Sequence, residues 1–108
     1  MANFENQYFR KMDFTEVRFT FAYDALIKIG IALIAKAGYK VRSQPGHHVK
    51  IIEKLAEILA DEDIALVGNK MRQSRNADLY DGGILVTQKD SREYTEFVEK
   101  IYSKASPL

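Results

Sequence analysis

The residues of this chain best suited to chemistry lie in one run, where Arg72, Arg75, Asn76, Asp78 and Tyr80 follow one another closely. Arg72, Asn76 and Tyr80 are spaced by four, so a helix puts them on one face, with Asp78 one turn from Arg75. The apolar row Ile64, Val67, Met71 continues at helical spacing onto Arg75, which sets a guanidinium beside a core seam. A buried charge without partners is costly, so Arg75 needs company there. Two readings follow. In one, Arg75 pairs with Asp78 or Asp81 and Tyr80 caps the core. In the other, the face is an anion site, because arginine holds phosphate through two parallel hydrogen bonds.

A second departure from apolar patterning is His47-His48, directly after Arg42-Ser43-Gln44-Pro45-Gly46. Consecutive helical residues point about 100° apart, so the pair is badly placed to chelate one ion. Neither a cysteine nor a carboxylate at zinc spacing supports them, so no metal and no cofactor is expected. His48 shares its periodicity with Ile52 and Leu55, as a packed and hydrogen-bonded residue would, whereas His47 reads as exposed. Near a helix N-terminus the dipole lowers proton affinity, which suits a neutral base. Arg42 and His47 match an Arg-x4-His spacing but precede the wrong helix, and the match reads as coincidence. No strand leads into Asp81-Gly82-Gly83, so it fails as a phosphate loop, and no Gly-x-Ser-x-Gly elbow occurs.

These residues need helices to hold them. A first helix is expected from Asp13, with Glu16 as a capping-box partner, to about Ala37, ending at Gly38. It carries two apolar rows: Phe14, Val17, Phe21, Ala25, Ile29, Leu33, and Phe19, Tyr23, Ile27, Ile31. A helix apolar on two faces must be covered on both, either inside the bundle or by a dimer partner. Residues 39–46 read as a loop. A second helix follows from His47 to Ala60, with Ile51, Ile52, Leu55, Ile58 and Leu59 inward. The third starts at Asp61-Glu62-Asp63, favourably with its dipole, and continues to about Tyr80. Residues 84–86 read as a loop packed on the core. Thr87 and Asp90 then cap a last helix that buries Tyr94, Phe97, Val98 and Ile101. The expected architecture is all-α: an antiparallel up-and-down bundle of four to five helices in one domain over 1–108.

Composition narrows the function classes. The 108 residues include no cysteine, which excludes disulfides, thiolate metal sites and a cysteine nucleophile. Sixteen basic and fifteen acidic residues give a net charge of +1, so any nucleic-acid contact must come from a local patch. The polar start and the lysines within 25–37 argue against a leader or membrane span, and the chain reads as cytoplasmic.

The run Met71-Arg72-Gln73-Ser74-Arg75-Asn76-Ala77-Asp78-Leu79-Tyr80-Asp81 resembles a stretch of the HEPN superfamily of small helical-bundle domains. Its setting matches too: a long first helix, Ala37-Gly38-Tyr39, a Gly46-His47-His48 turn into a helix, and an amphipathic helix at the end. The resemblance covers nearly the whole chain. It implies a bundle that commonly dimerises, with two arginine-bearing helices facing a shared cleft. Many members are metal-independent ribonucleases, and many work beside a small nucleotidyltransferase in toxin–antitoxin pairs. Their motif is arginine, a polar residue, a few more residues, then histidine. Carried over, Arg75 takes the arginine position, Asn76 the polar one, and Tyr80 stands where histidine belongs. With a pKa of about 10, tyrosine is a poor base at neutral pH.

The expectation is therefore a homodimeric subunit contacting RNA or nucleotide through Arg72, Arg75, Asn76 and Tyr80, with Arg42 as a further contact and a nucleotidyltransferase-family partner. The alternative is a metal-independent ribonuclease using Arg75 and a histidine from His47-His48, which requires the loop to fold over the Arg75 cleft. A third reading is an interaction domain whose two-faced first helix is the working surface.

Overall fold

The computed structural model describes residues 14–41, 46–81 and 86–108, with backbone only for 77–81. Among the described residues four helices form: α1 Phe14–Lys36, α2 His47–Leu59, α3 Glu62–Asp81 and α4 Gln88–Ala105. The fold is an all-α helical bundle, and the described residues supply four of its helices.

Each described boundary has a local cause. After α1, Gly38 takes φ 93°, and the Tyr39 N–H reaches back to the Ile34 carbonyl at 3.1 Å, closing the chain reversal. After α2 the same left-handed position is held by Ala60 at φ 53°, and the Asp61 N–H donates to the Ala56 carbonyl at 3.0 Å. Asp61 precedes α3 and accepts from the Asp63 N–H at 3.1 Å, so it acts as the cap, with Glu62 and Asp63 in the first turn. It also accepts from Lys104 at 3.0 Å, which ties the end of α4 to the start of α3 and holds the Asp61 carboxyl below its usual pKa. Before α4 the expected capping box is present. Asp90 N–H donates to Thr87 Oγ1 at 3.0 Å and Thr87 N–H donates to Asp90 Oδ2 at 3.3 Å. Thr87→Ala is expected to cost about 1 kcal/mol, read as a lower urea midpoint at unchanged slope.

Directions follow from the contacts. α2 and α3 form an antiparallel hairpin across Ala60-Asp61, and α3 runs antiparallel to α1, with Leu26 near Gly68 and Tyr23 near Arg75. α4 lies along α1 in the same sense. Ser91 donates to the Thr15 carbonyl at 3.0 Å near their N-termini, and Lys36 donates to the Leu108 carbonyl at the other end. The up-and-down alternation thus holds from α2 to α4. Between α1 and α2 it does not: α2 begins beside Tyr23 and advances toward Gly30, so these two helices run in the same sense. The close approach there depends on glycine, since a Cβ on Gly30 would lie 2.5 Å from Ile51 Cγ2.

The core is built from Phe19, Leu26, Leu33, Ile52, Leu55, Ile64 and Met71, joined by Val98 and Ile101. Val86 is buried as expected, while Ile84 and the Asp13 cap lie outside the described residues. In α2, Ala56 is buried instead of Ile58 and Leu59, which pack partly buried at its edge. The two apolar rows of α1 differ in fate. Phe19, Tyr23 and Ile27 are buried, but Phe14 is 86% and Phe21 69% exposed, because α2, α3 and α4 cover only part of the helix circumference. The side of α1 that carries Phe14 and Phe21 is not covered by the described residues.

Candidate functional site

Tyr23 organises the polar end of the bundle. It comes from the middle of α1, is 1% exposed, and places its hydroxyl 2.8 Å from His48 Nδ1 at the start of α2. The guanidinium of Arg75, from α3, lies over the same ring at 5.4 Å from its centroid. One phenol therefore touches an imidazole through its oxygen and an arginine through its π face. The placement of α2 along α1, with its first turn at Tyr23, makes this possible. Arg75 and the histidine pair, separate in the sequence, share a single site.

The neighbours extend it. The rings of His47 and His48 meet edge-on at 4.5 Å between centroids. Arg72, one turn before Arg75, donates through Nε to Asn69 Oδ1 at 3.3 Å, and Asn69 donates back to the Ala65 carbonyl at 2.9 Å. That contact holds Arg72 on the helix surface beside Arg75. Asn76 is half-buried next in line. Among the described residues no three His, Asp or Glu side chains come together as metal ligands.

Electrostatics here favour a neutral imidazole. Burial pushes the His48 pKa below the ordinary value, the charges of His47 and Arg75 act the same way, and Asp24 pulls against them more than Arg72 adds. Burial raises the Tyr23 pKa, so the phenol keeps its proton, although Arg75 and Arg72 oppose the shift. The tautomer then decides the chemistry. With hydrogen on Nδ1, His48 donates to Tyr23 and keeps a lone pair on Nε2 that can accept a proton. With hydrogen on Nε2, Tyr23 donates to Nδ1 and His48 becomes a donor to an anion.

A histidine with lowered proton affinity binds fewer protons folded than unfolded. Its contribution to stability is therefore complete above the ordinary value of 6.5 and lost as pH falls through the folded value. Thermal melts from pH 7.5 to 5 should show the melting temperature falling more steeply for wild type than for His48→Asn.

Of the residues the sequence singled out, Arg72, Arg75, His47 and His48 come together in the structure. The side chains of Asp78, Tyr80 and Asp81, and all of Arg42, lie outside the described residues. Two participants were missed. In the sequence Tyr23 falls in an apolar row, where only its hydroxyl marks it out, and Asn69 belongs to no pattern. No helix among the described residues is long and apolar enough to cross a membrane. No family model, curated protein or solved structure matches this chain.

Proposed function

We propose that this protein is a HEPN-like helical subunit that handles RNA phosphate, with metal-independent cleavage at Arg75 and His48 as its reaction. The observation that supports this reading is Tyr23 joining a neutral histidine and an arginine at one place. In the reaction His48 Nε2 takes the proton of a ribose 2′-hydroxyl, and that oxygen attacks the adjacent phosphorus. The bond to the 5′-oxygen breaks, and the leaving oxygen takes up a proton. The products are a 2′,3′-cyclic phosphate and a 5′-hydroxyl. Arg75 stabilises the negative charge that gathers on the phosphoryl oxygens, and Arg72 holds the strand beside it. Tyr23 is a positioning residue that fixes the imbalance between the two histidine nitrogens.

The second reading is an RNA- or nucleotide-contacting subunit without turnover, paired with a nucleotidyltransferase-family protein in a toxin–antitoxin-type system. It is favoured by Tyr80, which stands where the family motif carries histidine. One experiment separates them: incubation of a labelled single-stranded RNA with the purified protein in EDTA, scored for both retention and cleavage. Cleavage to cyclic-phosphate ends supports the first reading. Retention by a folded sample without cleavage supports the second, and neither retention nor cleavage rejects both.

Either form works as a homodimer in this proposal. Phe14 and Phe21 of α1 and Tyr102 of α4, itself 62% exposed, border adjoining apolar grooves floored by Ala25, Ile29 and Val98. Arg18 and Lys28 on α1 and Glu99 on α4 flank them, so a second copy meets both apolar surface and opposite charge. Light scattering should give twice the 12.4 kDa of one chain, and Phe21→Glu should return a folded monomer.

A further inference from the structure

Beside His47 lies a cavity of about 300 Å³, formed by the end of α1, residues 39–41 and one side of α2. Its floor is apolar, from Ile34, Val41 and Ile51, and its rim carries Lys40, Lys50 and Lys54 together with Tyr39. Lys54 sits over the Tyr39 ring, 4.5 Å from its centroid, and is also paired with Glu57 at 3.3 Å. No carboxylate belongs to the wall of the cavity among the described residues. Lys40 and Lys50, beside a Lys54 already held by Glu57, give the apolar floor a basic border that suits an anion. The volume stands at the lower end of the range that holds small ligands, roughly 300–1,000 Å³.

We infer that this cavity binds a nucleoside phosphate, with the base on the Tyr39–Ile34–Val41 side and the phosphate between Lys40 and Lys50. The ligand must be anionic at one end, to match the lysines, and flat and weakly polar at the other, to displace water from the floor. An inorganic anion satisfies only the first demand. His47 lines this cavity, and its ring touches that of His48. The two places are therefore adjacent, and a strand whose reacting phosphate lies at Arg75 has its neighbouring nucleotide here. In that respect the inference rests on the RNA-handling reading, while the cavity itself also fits a free mononucleotide.

Calorimetric titration tests it with three probes: adenosine 5′-monophosphate, inorganic phosphate and a short single-stranded RNA. The monophosphate should bind at least tenfold more tightly than phosphate. Lys40→Glu/Lys50→Glu, at two exposed positions, and Tyr39→Ala should each weaken it roughly tenfold or more, with unchanged circular dichroism. Saturable monophosphate binding by a wild-type protein that does not cleave RNA would leave the cavity standing while the cleavage reading fails. RNA affinity falling in the lysine variant identifies a strand as the source of the nucleotide. RNA affinity unchanged, with monophosphate binding lost, identifies a free nucleotide. The inference is overturned if the monophosphate does not saturate the protein, if phosphate binds as tightly, or if the lysine variant binds like wild type.

Discussion

Arg75→Ala is expected to lower RNA cleavage in EDTA by about 10²–10³-fold, the loss typical of removing one preorganised donor to a developing oxyanion. The effect on stability should be far smaller. A cation–π contact of a partly exposed arginine is worth roughly 0.5–1 kcal/mol, whereas the rate loss corresponds to about 2.7–4 kcal/mol. A folded but inactive variant is therefore the expected outcome, and a fully active one would remove Arg75 from the chemistry. Arg75→Lys should recover only part of the activity, since an ammonium cannot hold phosphate in two parallel bonds. His48→Ala should cost about 10²–10⁴-fold, as loss of a general base does. Combined with Arg75→Ala it should cost less than the product of the two, because both act in one step. Tyr23→Phe keeps the ring under Arg75 and removes the hydroxyl at His48. It should move the acidic limb of the pH–rate profile, which a purely structural role for the hydroxyl would leave in place.

The largest effect on folding is expected from Leu26→Ala. Leu26 is fully buried, and its Cδ2 lies 3.4 Å from where Gly68 would carry a Cβ, so it fills the contact between α1 and α3. Truncation in such a place costs about 2–5 kcal/mol, against a total of roughly 5–15 kcal/mol for a domain. Leu66→Ala removes the same atoms from a side chain that is largely in water, and should stay within about 0.5 kcal/mol. Urea denaturation of both variants measures the contrast. Equal midpoints would mean that Leu26 does not lie in the folded core.

Much of the local structure was legible in residue order because its causes are local. Gly38 ends α1 since only a left-handed residue permits that reversal, and Thr87 with Asp90 opens α4 within four positions. The periodicity of Ile51, Ile52 and Leu55, and of Ile64 and Met71, selects the buried faces. Burial along α1 was less legible. Phe14 and Phe21 obey the same spacing as Leu33, and periodicity records that a row is apolar without recording what covers it.

The candidate site divides in the same way. Residue types alone marked Arg72, Arg75, His47 and His48 as able to handle an anion or a proton, because guanidinium and imidazole keep that chemistry in any fold. Their assembly was decided by a non-local event, the packing of α2 and α3 against the first half of α1, which sets His48 against Tyr23 and Tyr23 under Arg75. No spacing rule links positions 23, 48 and 75. Helix identity, caps and the all-α class are written in the sequence through interactions a few residues apart. The pairing of α1 with α2 and α4, and the site that pairing creates, depend on which surfaces bury the most apolar area together, and only the folded chain settles that.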